Sequence, residues 1–181
     1  EKRQLTLLYC GVYFASGPEA GDEELAEQQE MAQRNVLRRL IDVAVQRGGT
    51  LGGTLGTHFL VTLGYSAHAE ADARLAVQIA HELVRSAAQP VGDVRWEVRI
   101  GLHTGSVLIE SGAVVPCRAL SIATAMEQAA SDGQVVVSEA ARQRLRHHAH
   151  FTPQGGVRLP GAQAEVPCFA MAQNGASAGV P

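Results

Sequence analysis

The sequence has few aromatic residues, few cysteines and no excess of basic charge. Aromatic residues make up 4% of the 181 residues, so Ala, Val and Leu must fill the core, and the hydrophobic content of 46% allows this. Cys10, Cys117 and Cys168 are odd in number and far apart, which predicts reduced thiols. With 15 Lys and Arg against 18 Asp and Glu, and no basic stripe, the sequence predicts no nucleic-acid partner.

Long hydrophobic runs are also missing. No stretch approaches the roughly 18 uninterrupted apolar residues that mark a membrane-spanning helix. The first residues do not have the pattern of a signal peptide. We therefore expect a cytoplasmic protein whose segment here makes no membrane contact. The length suits one domain with a full core, and because the chain begins at Glu1 without an initiator Met, we expect a domain excised from a longer protein.

The first half of the chain alternates strand and helix patterns. Leu5–Tyr13 is a near-continuous apolar run, which predicts a central strand buried on both faces. Apolar residues at three- and four-residue spacing predict a helix over Glu23–Arg47, capped by Asp22 or a neighbour, and a second helix over about Ala69–Ala88. The glycine-rich segment between them predicts a hairpin: strand Thr50–Leu55, turn Gly56-Thr57-His58 and strand Phe59–Leu63.

The second half begins with the alternating segment Arg95–His103, which predicts a half-buried strand with His103 on its polar face. A turn at Thr104-Gly105 is predicted to return the chain as a partner strand, Ser106–Ile109. Further predicted elements are a helix over Arg118–Ala130, a strand over Val135–Val137, a helix from Ser138 to about His147 and two strands beyond it. This order predicts an α+β fold, a ferredoxin-like mixed sheet with packed helices, ahead of a disordered tail over residues 173–181.

Five segments follow one another in an order typical of one family. They are Arg3–Cys10; Gly48-Gly49 with Gly56; Ala67-His68 with Asp72-Ala73 and Ala76; Val98–Gly105; and Gly133–Ser138. On these segments the chain resembles the catalytic domain of the class III nucleotidyl cyclases, the adenylate and guanylate cyclases, over residues 3–171. The resemblance implies one cyclase-homology domain over residues 1–172.

A class III cyclase drives the 3′-hydroxyl of a nucleoside triphosphate onto its own α-phosphate, with divalent metals held by two Asp residues. The resemblance places these two residues at Gly11, near the end of the first strand, and at Thr57, on the hairpin tip. Neither side chain is a carboxylate, which is the ligand that Mg²⁺ prefers. We therefore predict no metal site, and expect Mg²⁺ or Mn²⁺ as a cofactor only if the chain is an active cyclase after all.

The other family positions that touch the nucleotide are changed as well. The resemblance matches the transition-state Asn and Arg to Ser121 and Ala125, the base-reading Lys to Gly53, the second base-reading residue to about Val114, and the phosphate-binding Lys to about Pro160. The turn after the first strand contains Tyr13 and Phe14, which would crowd a triphosphate. No catalytic residue is therefore predicted.

Other residue types that often carry chemistry have simpler interpretations. His147, His148 and His150 lie close together, but neighbours on a helix point in different directions, which favours a solvated helix end over a metal site. His58 is predicted to be a surface loop residue, and Cys10, which has no evident base, a buried core thiol. Gly52-Gly53 lacks the Lys-Ser/Thr of a P-loop.

Three hypotheses about function remain at this point. The first is a catalytically inactive cyclase-homology domain, a dimerisation and regulatory module that pairs with a second copy or a related domain. The resemblance implies bacterial signal-transduction proteins with further attached signalling domains. The second is a divergent adenylate or guanylate cyclase that holds metals with other ligands, such as Glu110 or Asp93. The third is a nucleotide-sensing domain without turnover.

Overall fold

The computed structural model describes residues 1–15, 23–64, 69–90, 92 and 94–173. The expected cap Asp22, the landmark Ala67-His68, the alternative ligand Asp93 and the expected tail from Asn174 onward lie outside the described residues. The elements follow the predicted order: β1 (Lys2–Phe14), α1 (Glu23–Gln46), β2 (Thr50–Leu55), β3 (His58–Leu63), α2 (Ala69–Ser86), β4 (Trp96–Glu110), β5 (Ala113–Val114), α3 (Arg118–Ala129), β6 (Val135–Ser138), α4 (Glu139–Leu145), β7 (Phe151–Arg158) and β8 (Glu165–Met171).

The strands form one sheet in the order β2-β3-β1-β4-β6-β8-β7, with β5 paired to β4. The β4–β6 pair is parallel and the other pairs are antiparallel. This confirms the predicted α+β fold with a mixed sheet. Strand β1 lies near its middle and pairs with β4 along its whole length, from Lys2 opposite Leu108 to Phe14 opposite Trp96.

Strand β1 has one core on each face, as the continuous apolar run predicted. Leu8 and Cys10 pack into the core that α1, α2 and α4 cover. Leu5 and Leu7 pack against Ala119 of α3 on the opposite face. Cys10 is fully buried, which confirms the prediction of a core thiol, and burial raises the pKa of this thiol above its ordinary value.

Helix α3 lies unusually close to strand β4, at Gly101. A Cβ atom at this position would collide with the carbonyl oxygen of Ala123 and the amide nitrogen of Glu127. Only glycine lets the helix backbone rest directly on the sheet here. This contact fixes the depth of α3, which carries part of the candidate site described below.

The predicted turn at Thr104-Gly105 is wrong, because β4 continues through it without interruption. The partner strand β1 begins three residues earlier than predicted, and Thr6 pairs directly with Thr104, their hydroxyl oxygens 3.0 Å apart. The chain turns instead at Ser111 and Gly112, which have φ of 50° and 80°. Two consecutive residues in this left-handed region suit a tight hairpin turn, so β5, and not Ser106–Ile109, is the returning strand.

The predicted exposure of His103 is also wrong. Its side chain is buried, and its Nδ1 lies 2.6 Å from the hydroxyl oxygen of Ser138, which also accepts a hydrogen bond from the amide of Ala141 at the start of α4. The face that alternation assigned to solvent is covered by the beginning of α3. Burial, together with the charge of Arg118, lowers the pKa of His103 to about 4.

We predict that His103 makes folding stability depend on pH. Its pKa is 6.5 in an unfolded chain and about 4 in the fold, so between these values only the unfolded state takes up the proton. Stability from this group is complete above pH 6.5 and is lost towards pH 4, by about 3 kcal/mol. Urea unfolding at several pH values measures the loss. The variant His103→Gln should flatten this dependence, whereas the exposed control His147→Gln should keep it; an unchanged slope in His103→Gln would contradict the assignment.

The described helices include none that is both long and apolar enough to cross a membrane.

Candidate active-site cleft

The fold brings Gly11 and Thr57 together. Gly11 of β1 lies opposite His58 of β3, and the amide of Val12 donates a hydrogen bond to the carbonyl oxygen of Thr57 at 3.0 Å. Thr57 follows Gly56, whose φ of 58° shapes the two-residue tip of the β2–β3 hairpin. The two positions that the resemblance matches to metal-binding Asp residues are therefore neighbours, and neither provides a carboxylate.

His58 is not the surface loop residue that the sequence predicted. It is the first residue of β3, so its side chain projects across β1 rather than from the turn. The imidazole ring stacks on Tyr9 with 5.4 Å between ring centres and meets Tyr13 edge-on at 5.7 Å. The side chain keeps only 26% of its surface exposed. His58 thus belongs to a half-buried aromatic cluster on the α3 side of the sheet.

Glu127 of α3 supplies a carboxylate that sequence reasoning missed. Its side chain is 1% exposed, and the Tyr13 hydroxyl donates a hydrogen bond to its Oε1 at 2.6 Å. His58 Nε2 lies 3.4 Å from the same oxygen. A Cβ atom on Gly11 would collide with Glu127 Oε1 and would lie 2.8 Å from His58 Nε2. The Glu127 carboxylate therefore fills the space that a side chain at position 11 would need.

We call Tyr9, Tyr13, His58 and Glu127 the Glu127 cluster. Burial and the hydrogen bond to Glu127 raise the pKa of Tyr13 to about 12, so its hydroxyl stays protonated and donates. The guanidinium carbon of Arg99 lies 4.1 Å from the centre of the Tyr13 ring and opposes this shift in part. The cluster is an internally bonded arrangement around one carboxylate.

A signal for Glu127 is present in the sequence, although only in hindsight. Helix α3 has a buried stripe that includes Ala119, Ala123 and Met126, and Glu127 follows Ala123 by one turn. A charged residue on an apolar stripe is almost never buried without a partner. The helical pattern could thus have pointed to a bonded carboxylate, but it could not have named Tyr13 as the donor.

The two positions that the resemblance matches to the transition-state Asn and Arg, Ser121 and Ala125, both lie on α3. Ala125 is buried and has no polar group. Ser121 is exposed, and its hydroxyl donates to the carbonyl oxygen of Cys117 within the same helix at 3.2 Å. Ala125 therefore has no donor for a phosphate, and the single hydroxyl of Ser121 is bonded within its own helix.

The positions that the resemblance matches to base-reading and phosphate-binding residues lie in three separate parts of the chain. Gly53 sits at a β-bulge in β2 with φ of 155°, Val114 is half-buried in β5, and Pro160 is exposed in the turn that follows β7. Glu110, an alternative metal ligand, lies at the far end of β4 from Arg99, the partner of Gly11. Glu110 lies eleven positions beyond Arg99 along the strand, a distance of roughly 35 Å, which is too far for a shared metal site.

Among the described residues, no three His, Cys, Asp or Glu side chains are arranged to hold a metal ion. In the segment that follows α4, His148 Nε2 lies 2.9 Å from the Glu70 carboxylate, and Arg146 donates to His147 at 3.2 Å. These histidines thus have individual partners instead of a common centre.

An open cavity of about 670 Å³ adjoins the Glu127 cluster. Tyr13 and Phe14, which were predicted to crowd a triphosphate, form part of its wall together with Trp96, Arg95 and Arg99. Arg99 is bound to Asp132 at 2.9 Å. The two aromatic side chains therefore occupy part of the region that follows β1, and the cavity remains open beside them.

The adenylate and guanylate cyclase catalytic domain family has a model that matches residues 36–173. This chain belongs to that family. Its fold is similar to the adenylyl cyclase CyaB from P. aeruginosa, with a TM-score of 0.76, 18% identity, and coverage of 96% of both chains. No curated protein sequence matches the chain significantly.

Two other solved cyclase structures share the fold. One is an adenylate/guanylate cyclase/hydrolase from Silicibacter pomeroyi, with a TM-score of 0.71, 20% identity, and coverage of 96% of this chain and 99% of that one. The other is the guanylate cyclase domain of RhGC from Catenaria anguillulae in complex with GTP, with a TM-score of 0.74, 16% identity, and coverage of 96% and 98%. At these identities the likeness concerns the fold alone.

We predict that Gly11 and Glu127 are energetically coupled. Gly11→Ala should destabilise the fold by about 2 kcal/mol, because the new methyl group collides with the buried carboxylate. Glu127→Ala removes the obstacle, so the double variant should be more stable than the sum of the two single losses by at least about 1 kcal/mol. Chemical denaturation of the four proteins gives this coupling. Strictly additive losses would show that Glu127 does not occupy the space above Gly11.

Proposed function

We propose that this cyclase-homology domain makes no cyclic nucleotide and acts as a dimerisation and regulatory module of a larger signalling protein. The observation that carries the proposal is the Glu127 carboxylate, which fills the space above Gly11 and accepts a hydrogen bond from Tyr13. The place where the resemblance expects a metal-binding side chain is occupied from within the chain. Thr57, beside it, has only a neutral hydroxyl.

The chemistry of phosphoryl transfer explains why this arrangement favours inactivity. Divalent ions at a triphosphate need anionic oxygen ligands, and a metal clamp contributes several kcal/mol of transition-state stabilisation. Glu127 is buried, and any ion that reached it would have to displace the Tyr13 hydroxyl. With no Asn or Arg at positions 121 and 125, donors that would stabilise the developing charge are missing as well.

Pairing with a second domain is the activity that remains. The family resemblance implies dimers with active sites at the subunit interface. A domain that loses the catalytic residues can still use the same surface to bind a second domain. The hairpin beside the cleft exposes apolar surface: Leu55 is 77% exposed at its tip, and Leu51 is 39% exposed on the edge strand β2. Contact with a partner domain would remove this surface from water.

The catalytic part of the proposal predicts no turnover. Purified protein with ATP or GTP and Mg²⁺ or Mn²⁺ should give no cyclic nucleotide above the protein-free background, measured by chromatography of the products. Thermal unfolding recorded on the same sample confirms that the protein is folded. Metal-dependent product that disappears in Glu127→Gln would establish the divergent cyclase instead. A nucleotide-induced rise in melting temperature without product would establish the nucleotide-sensing alternative.

The pairing part predicts a concentration-dependent dimer. Sedimentation velocity at micromolar concentrations should show association, and Leu55→Glu should weaken it at least tenfold because the exposed apolar tip becomes charged. The control Met31→Glu changes a residue on α1 that is 64% exposed and should leave association unchanged. A chain that stays monomeric over the whole range would contradict the dimer.

A further inference from the structure

A second concave region lies on the opposite face of the sheet, where α1, α2 and α4 pack. One cavity of about 360 Å³ is lined by Arg47, Arg74 and Arg85, and its wall also includes His81 and His148. These two histidines line an adjacent cavity of about 220 Å³ as well. The two cavities are therefore neighbours that share two wall residues, and we call the concave surface that they form the arginine groove.

The second part of the arginine groove is formed by the segment after α4. Its wall includes Arg146, His147 and His150. Among the described residues that line either part, none is Asp or Glu. This is an unusual composition in a chain that has 18 acidic and 15 basic residues. Four of the fifteen basic residues lie at this concave surface, and the carboxylate of Glu70 borders it, 2.9 Å from His148 Nε2.

The residues of α2 that line the groove share one helical face. Arg74, Gln78, His81 and Arg85 follow one another at spacings of four, three and four residues, which places them in line along the helix. Arg85 is bound to Glu82 at 2.6 Å, and the same carboxylate lies 3.5 Å from Arg47. One acidic side chain therefore holds two of the arginines.

Two arginines retain positive charge that no carboxylate neutralises. Arg74 forms no ion pair with any part of the chain that the structure describes, and it is exposed. Arg146 is also exposed, and its Nε donates a hydrogen bond to Nε2 of His147 at 3.2 Å. Both guanidinium groups are available to an anionic ligand.

We propose that the arginine groove binds an anion with more than one phosphate group, of the pyrophosphate or nucleoside polyphosphate class. Guanidinium groups match phosphate oxygens with paired hydrogen bonds. Arginines line both neighbouring cavities, so an anion with charge along its length makes more contacts than one orthophosphate. The groove lies across the sheet from the Glu127 cluster and does not depend on that site being active or inactive.

The test uses inorganic pyrophosphate with the whole chain in EDTA-containing buffer at low ionic strength. Isothermal titration calorimetry should show saturable binding that is at least tenfold tighter than binding of orthophosphate. The double variant Arg74→Ala/Arg146→Ala should weaken it at least tenfold. The matched control Arg34→Ala/Arg38→Ala removes two exposed arginines from α1 and should bind as the parent does. Thermal unfolding of each variant shows whether it is folded.

ATP in the same buffer distinguishes the two sources of a polyphosphate. Equal affinity for ATP and pyrophosphate would show that the phosphates alone are recognised. Tighter binding of ATP would show that the nucleoside is recognised as well. Either result supports a binding site in the arginine groove, provided that Arg74→Ala/Arg146→Ala weakens the binding. The proposal is overturned if pyrophosphate does not bind, if sulfate at equal ionic strength binds as tightly, or if the two double variants lose equal affinity. Binding that survives in Arg74→Ala/Arg146→Ala but is lost in Tyr13→Ala would place the ligand in the cyclase cleft, and would also overturn it.

Discussion

The hydrogen bond between the Tyr13 hydroxyl and the Glu127 carboxylate is the interaction on which the candidate site depends. Burying a carboxylate is unfavourable unless hydrogen bonds replace its water, and the short bond from Tyr13 provides this. Space for the carboxylate exists only because position 11 is glycine. The pair joins α3 to the central strand β1 at Gly11, the position that the resemblance matches to a metal-binding Asp.

The position of helix α3 makes this contact possible. At Gly101 the helix backbone rests on β4, and at Gly11 a helix side chain rests on β1. A side chain at either position would push the helix away from the sheet. The two glycines thus act together. Gly101 lets the backbone of α3 lie close to the sheet, and Gly11 leaves space for the Glu127 carboxylate that this close packing brings to β1.

The two faces of the sheet therefore have different chemical character. The face covered by α3 contains the Glu127 cluster and, beside it, the exposed Leu55, which pairs with His58 across the hairpin. The face covered by α1, α2 and α4 contains a groove lined by arginines and histidines. The central strand β1 packs against both sides and connects them.

The sequence by itself determined the order of elements, the doubly buried β1 and the family, because periodicity, glycine positions and short motifs are local properties. It also showed that positions 11 and 57 have no carboxylate. Only the tertiary structure decided that β4 continues past Thr104, that His58 and His103 turn inward, and that Glu127 reaches Gly11. Each of these depends on neighbours distant in the chain: Tyr13 and Glu127 are 114 residues apart, and no local pattern records which side chains the folded sheet brings together.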